Sequence, residues 1–174
     1  MSTTIIGLSG KKGTGKNTVA TMIAALSGLR VKELAFADPL KEEVAKATGN
    51  TVKYVNEHKE NFRLILQGWG TDYKRKLVDD SYWLNKMGVM IHNAINDGAE
   101  IIVITDVRFP NEYNYINKIG GLLCRVSRPL ESIDNHPSET ALDKVHNWHH
   151  IILNTGTLEE LRPQVEELIT KCKL

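Results

Sequence analysis

Near the start of the chain, Gly10-Lys11-Lys12-Gly13-Thr14-Gly15-Lys16 has the residue types and spacing of a phosphate cradle. Glycines let the backbone turn tightly and come close to an anion. The loop amides, with a helix N-terminus behind them, then point at phosphate oxygens, and the lysine reaches the outer phosphates. The segment predicts ATP binding by Gly10, Lys12, Gly13, Thr14, Gly15 and Lys16, with the Lys16 side chain held out toward solvent and phosphate. In this pattern the next residue supplies a hydroxyl to magnesium, but here it is Asn17, with Thr18 following. Asn17 can offer only an amide oxygen, so magnesium is expected to rest largely on ATP and water.

Asp106 closes the apolar run 100–105 and is the second expected metal residue, oriented toward magnesium or its waters. Ligands of open α/β sheets bind beyond the carboxyl ends of strands, where that residue falls. A helix cap, or a partner for Arg108, is the plainer alternative. Arginines suit bidentate phosphate recognition, and Arg63, Arg75, Arg108, Arg125 and Arg128 are placed where a mononucleotide could use them. Trp69 and Trp83 could stack on a base or pack in a core. His146, His149 and His150 lack an accompanying Cys or acidic pattern, which favours a structural role over a metal site.

These residues need elements to position them. Residues 3–9, 31–36, 100–105, 122–127 and 150–153 read as buried strands. Residues 16–27 read as a helix with Val19, Ile23 and Leu26 on one face. Asp38-Pro39 reads as an N-cap followed by proline at the first helical position, opening a helix to about residue 47. Residues 57–67 form another helix, expected to stop at Gly68 and Gly70, with Thr71 capping the next and Asp80 or Ser81 capping a third that ends near Asn96. Residues 110–118 and the segment opened by the Thr157-Leu158-Glu159-Glu160 capping box complete the helices. Strands alternating with helices imply a central parallel sheet covered on both faces. The long helical stretch between the second and third strands predicts a helical insertion beside the sheet.

At 174 residues, with 41% hydrophobic and 25% charged residues, the chain suits one soluble domain, residues 1–174. A net charge of +1 gives no bulk attraction to a nucleic acid polymer or an anionic membrane. Two cysteines without a motif fit a reducing cytoplasm, and no apolar run approaches the ~18 residues of a membrane span.

From residue 10 almost to the end, the chain resembles the phage deoxynucleoside monophosphate kinases, a branch of the P-loop nucleoside monophosphate kinases. The resemblance is carried by residues 10–18, Phe36-Ala37-Asp38-Pro39-Leu40-Lys41, Arg63, Leu66-Gln67, Gly70-Thr71-Asp72, Trp83 and Asp106-Val107-Arg108-Phe109-Pro110-Asn111-Glu112. Gly120-Gly121, Arg125, His136-Pro137-Ser138-Glu139 and residues 154–161 continue it. It implies a P-loop kinase fold, a monophosphate-binding helical region over about 38–98 and a lid over about 128–143. It implies further that Asp38, Lys41, Arg63, Gln67, Thr71 and Arg108 line the monophosphate site, with Arg75 and Trp83 as further candidates. Arg128 would act from the lid, and Asn154, Thr155, Gly156 and Thr157 would lie beside adenine. The reaction implied is transfer of the γ-phosphoryl group of ATP to a deoxynucleoside monophosphate. Lys16, Arg108 and Arg128 are the expected catalytic charges and Mg2+ the cofactor. The protein is expected in the cytoplasm, that of a host if phage-encoded, as a monomer or homodimer. The rival readings are a kinase of another phosphorylated small molecule, of the dephospho-coenzyme A kinase kind, and a non-catalytic ATP-binding regulatory module.

Overall fold

The computed structural model describes residues 3–129 and 136–172. They fall into two compact units, the described residues of 3–34 with 91–172, and residues 35–90.

The first unit is built on five parallel strands, β1 (Thr4–Ser9), β2 (Val31–Leu34), β3 (Ile101–Val107), β4 (Leu122–Ser127) and β5 (His150–Leu153), in the order β2-β3-β1-β4-β5. Its helices are α1 (Lys16–Ser27), the end of α5 (Tyr82–Asn96), α6 (Pro110–Lys118), the short α7 (Pro137–Thr140) and α8 (Leu158–Cys172). Because side chains alternate along a strand, one face of the sheet presents Ile6, Leu8, Val103, Cys124, Val126 and Ile152. These pack on Val19, Ala20 and Ile23 of α1 and on Leu161, Val165 and Leu168 of α8. The other face carries α6: Gly7 lies so close to it that a Cβ there would meet Ile116 at 2.9 Å. Both faces are therefore covered, and central β1 delivers the glycine loop from the middle of the sheet. The two cysteines are free, and burial pushes the Cys124 thiol up to about 12 and Cys172 to about 11, so neither is a nucleophile at neutral pH. Among the described residues no helix is long and apolar enough to cross a membrane.

The second unit is helical: α2 (Ala37–Ala47), α3 (Val52–Glu57), α4 (Lys59–Gln67), a π-helix (Gly68–Val78) and the start of α5. Val44, Ala45, Val55 and Phe62 form its core, with Leu40, Leu66 and Trp69 against them. Glu43 ties three of these helices together. It accepts from Trp69 Nε1 at 3.0 Å and from Tyr82 Oη, and pairs with Lys86 at 3.2 Å and Lys74 at 3.6 Å. Burial alone would raise its carboxyl, but the bonds from Tyr82, Trp69 and Lys86 outweigh that and hold it below its usual range.

Three expectations change here. Gly68 and Gly70 do not stop the chain; it runs through them as the π-helix, and Thr71 sits buried inside that helix instead of capping a new one. The reason is tertiary: a Cβ on Gly70 would lie 2.8 Å from Leu40, and the Gly70 carbonyl accepts from Trp83 Nε1 at 3.0 Å. Trp83, a candidate for substrate binding, is only 2% exposed and is a core residue that holds Gly70 and its neighbours. Finally, α2 starts at Ala37, before Asp38, because the Asp38 carboxylate accepts from Ala35 N–H at 3.0 Å and ends β2 early.

Candidate phosphate-binding and transfer site

The loop between β1 and α1 has no room for side chains at its turning points. A Cβ on Gly10 (φ +151°) would lie 2.3 Å from the Val126 carbonyl oxygen. One on Gly15 (φ +99°, left-handed) would lie 2.3 Å from Asn154 Nδ2. Thr14 is 3% exposed and donates its hydroxyl to the Lys11 carbonyl at 2.9 Å. Asn154 braces the loop from the end of β5, donating Nδ2 to the Thr14 carbonyl at 2.9 Å and its own N–H to the Ser127 carbonyl at 2.8 Å.

Lys16 departs from the expectation of an outward side chain. It is 8% exposed and turns back on its own loop, donating to the carbonyls of Gly10 at 2.6 Å and Lys11 at 2.8 Å. An ammonium carries three donors, and these carbonyls satisfy two of them. Burial, then repulsion from Arg108, lowers its pKa to about 8, opposed by Glu139 and Asp106. At pH 7 the side chain is still charged, at a cost to the fold. A lysine titrating near 8 when folded and near 10.5 when unfolded penalises stability fully below pH 8, and the penalty fades as pH rises from 8 to 10.5. Lys16→Met is therefore expected to stabilise the ligand-free protein at pH 7 by about 2 kcal/mol, the hydrogen bonds lost offsetting part of the gain. Melting temperatures at pH 7 and at pH 10 check this: the mutant's advantage should shrink at the higher pH.

Asp106 is half-buried at the end of β3. The register there slips, because Gly7 pairs with Ile104 but Ser9 with Val107, which leaves one extra residue in β3. Such a bulge re-aims side chains at a strand end. Arg108 follows. Its N–H and that of Phe109 donate to Glu112 Oε2 at 2.8 and 3.1 Å, and Glu112 is 1% exposed. The guanidinium of Arg108 pairs with Glu139 and donates to the Ser138 carbonyl at 3.3 Å. Glu139 in turn accepts from the loop N–H of Lys12 at 2.7 Å. Asp143 joins Lys11 at 3.3 Å to Arg125 at 3.0 Å, and Arg125 also donates to Ser9 Oγ at 3.2 Å. Beyond the loop, Asn154, Thr155, Gly156 and Thr157, with Glu160 and Gln164, line a cleft of about 340 Å³.

The first unit thus brings together the loop, Lys16, Asp106, Arg108 and residues 154–157. Asn17 and Thr18 are exposed on the first turn of α1, and Arg128 is exposed one residue past β4. Residues 130–135 of the expected lid lie outside the described residues. In the second unit Asp38 and Lys41 pair at 3.3 Å. Arg63, next to Glu60 at 3.7 Å, shares a face of α4 with Gln67, four residues on. Arg75, with its side chain 9% exposed, lies 3.9 Å from Asp80. Two of the three clustered histidines make structural bonds. His149 Nδ1 accepts from Leu123 N–H at 3.0 Å, and His150 contacts the Gln164 carbonyl and Lys171. Among the described residues no cluster of His, Cys, Asp and Glu could hold a metal by itself.

Glu112, Glu139 and Asp143 stand in the expected motifs or lid without an assigned contact, and the structure gives each one. That of Glu112 was within reach of the sequence, as an acid at the third position of a helix opened by Pro110. Those of Glu139 and Asp143 were not, because their partners lie far away in the chain.

A parallel sheet with helices on both faces and a glycine loop after its central strand have the layout of the P-loop kinase fold. A Janibacter sugar kinase superposes at TM-score 0.54 and 14% identity, over 97% of this chain and 94% of its own. A Campylobacter jejuni dephospho-CoA kinase does so at TM-score 0.51 and 14% identity, over 98% and 97%. Both share the fold. Residues 48–165 match the family model of deoxynucleotide monophosphate kinases. A protein of Acanthamoeba polyphaga mimivirus that bears that family's name is 31% identical over 92% of this chain and 93% of its own length. The deoxynucleotide monophosphate kinase of Escherichia phage RB69 is 29% identical over 63% of this chain, and that of phage T5 is 27% identical over 67%. These alignments span 45% and 52% of the phage proteins, about half their length. The chain belongs to the deoxynucleotide monophosphate kinase family and is a kinase of nucleotide metabolism.

Proposed function

We propose that the protein transfers the γ-phosphoryl group of ATP to a deoxynucleoside monophosphate, giving ADP and the diphosphate. The observation that carries this reading is the continuity of the loop with the cleft: Asn154 both braces the loop at Thr14 and begins the wall of the cleft. Phosphates on Gly10, Lys12, Gly13, Thr14, Gly15 and Lys16 and a base beside residues 154–157 make one nucleotide site. Asp38, Lys41, Arg63, Gln67, Thr71 and Arg75 are proposed to serve the acceptor together with Arg108, and Arg128 to act from the lid. A phosphate monoester is already ionised at neutral pH, so its attacking oxygen needs no general base. Alignment and positive charge supply the rate.

Magnesium fits as a companion of ATP. The local donors are hard oxygens, Asp106 and the exposed amide of Asn17, too few for a protein-only cage. These two residues would hold the ion or its waters, and the ion would offset phosphate charge. Asn17→Ala is expected to cost a few-fold in activity and Asp106→Asn about tenfold or more, read as kcat/KM against total magnesium. Equal, small losses would leave the metal to ATP and water alone. The acceptor class is tested by a panel of deoxy- and ribonucleoside monophosphates with dephospho-coenzyme A included. Turnover only with the last would replace this reading.

A further inference from the structure

The carboxylate of Glu139 occupies two positions that an anionic ligand would use. One oxygen accepts from the loop N–H of Lys12 at 2.7 Å, and the other pairs with the guanidinium of Arg108. The side chain is only 7% exposed, so this is a desolvated, charge-assisted contact and not a surface ion pair. It spans 127 residues of sequence, from the loop to the short helix α7. Asp143, three residues beyond α7, makes a second attachment to the loop through Lys11. With side chains 42% and 37% exposed, that pair is screened and weak. Glu139 therefore carries the attachment.

We infer that Glu139 is an internal anion that holds the phosphate loop and Arg108 together until nucleotide phosphates displace it, so that filling the loop releases Arg108 to the acceptor. The inference rests on the proposed nucleotide site and gives Glu139 a positioning role in it. One carboxylate blocks two binding sites at once. The first ligand must displace it, and the second then finds its site free. Coupling of this kind is reciprocal: ATP tightens the acceptor and the acceptor tightens ATP by the same factor. A neutral side chain of the same shape removes the competitor and the coupling together.

The test is calorimetric titration of the wild type and Glu139→Gln with magnesium β,γ-imido-ATP, with and without a saturating deoxynucleoside monophosphate. Glu139→Gln is expected to bind the ATP analogue about fivefold or more tightly. The wild-type protein should show mutual tightening of the two ligands, and the variant little or none. Lost packing would not tighten binding, which separates this role from a structural one. Glu139→Ala repeats the measurement if the glutamine variant folds poorly. Unchanged or weaker analogue binding by folded variants, with the wild type binding normally, overturns the inference. Weakening that disappears when magnesium is omitted would also overturn it and give Glu139 to the metal. A wild-type protein that binds no ATP analogue would overturn the nucleotide site as well.

Discussion

Lys16→Met is expected to reduce kcat by a hundredfold or more while the protein stays folded. The prediction follows from where the ammonium is anchored. It bridges the carbonyls of Gly10 and Lys11, inside the loop proposed to hold the phosphates, and Arg108, Glu139 and Asp106 shape its charge. A phosphoryl group in transfer spreads negative charge over its outer oxygens, and Lys16 is the proposed cation that meets it from the loop. Methionine fills nearly the same volume without the charge, so the same variant that should gain stability should lose the reaction. The paired measurement is kcat and melting temperature on one preparation. Near-normal kcat in a folded Lys16→Met protein would remove this loop from the transfer step.

Arg108 is expected to give the second large effect. Buried Glu112 fixes the backbone here by accepting from the N–H groups of Arg108 and Phe109, just past the strand end that carries Asp106. The Arg108 guanidinium already binds an anion, the Glu139 carboxylate, where a phosphate would take its place. Arg108→Ala should raise the acceptor KM and lower kcat, together costing about a hundredfold in kcat/KM. Arg63→Ala should raise the acceptor KM alone. Initial rates with the acceptor varied at saturating ATP, and then the reverse, separate these effects. An unchanged acceptor KM in both variants, or a loss confined to ATP, would take these arginines out of the acceptor site.

What could be read in the sequence was whatever rests on local pattern. The strand, glycine loop and helix at the start follow from residues next to one another, and so do the capping box at Thr157 and the apolar runs of β1, β4 and β5. The loop's position at the sheet's carboxyl edge follows from the parallel topology that alternating elements impose. The π-helix was not readable, because Gly68 and Gly70 are helix breakers by propensity. Only the packing of Leu40 and the bond from Trp83, neither adjacent in sequence, make the helical path favourable. Helix α3 has only a lone local signal, its cap Thr51, accepting from Tyr54 N–H at 3.1 Å directly after the helix-breaking Thr48-Gly49-Asn50. At the site, the bulge that carries β3 past Asp106 depends on its pairing with β1. Glu139 and Asp143 lie in a polar stretch with no periodicity, and only the fold brings them to the loop. The inward turn of Lys16 is of the same kind: the sequence shows that a charge is present, and the neighbouring carbonyls decide where it points.

The most direct measurement of the central claim is transfer of label from γ-phosphate-labelled ATP to each deoxynucleoside monophosphate, with the products separated and identified. The proposed function predicts labelled deoxynucleoside diphosphate, formed in step with ADP, only when an acceptor is present and lost in Lys16→Met. Label released solely as inorganic phosphate, or no acceptor-dependent turnover with any deoxynucleoside monophosphate, would contradict it.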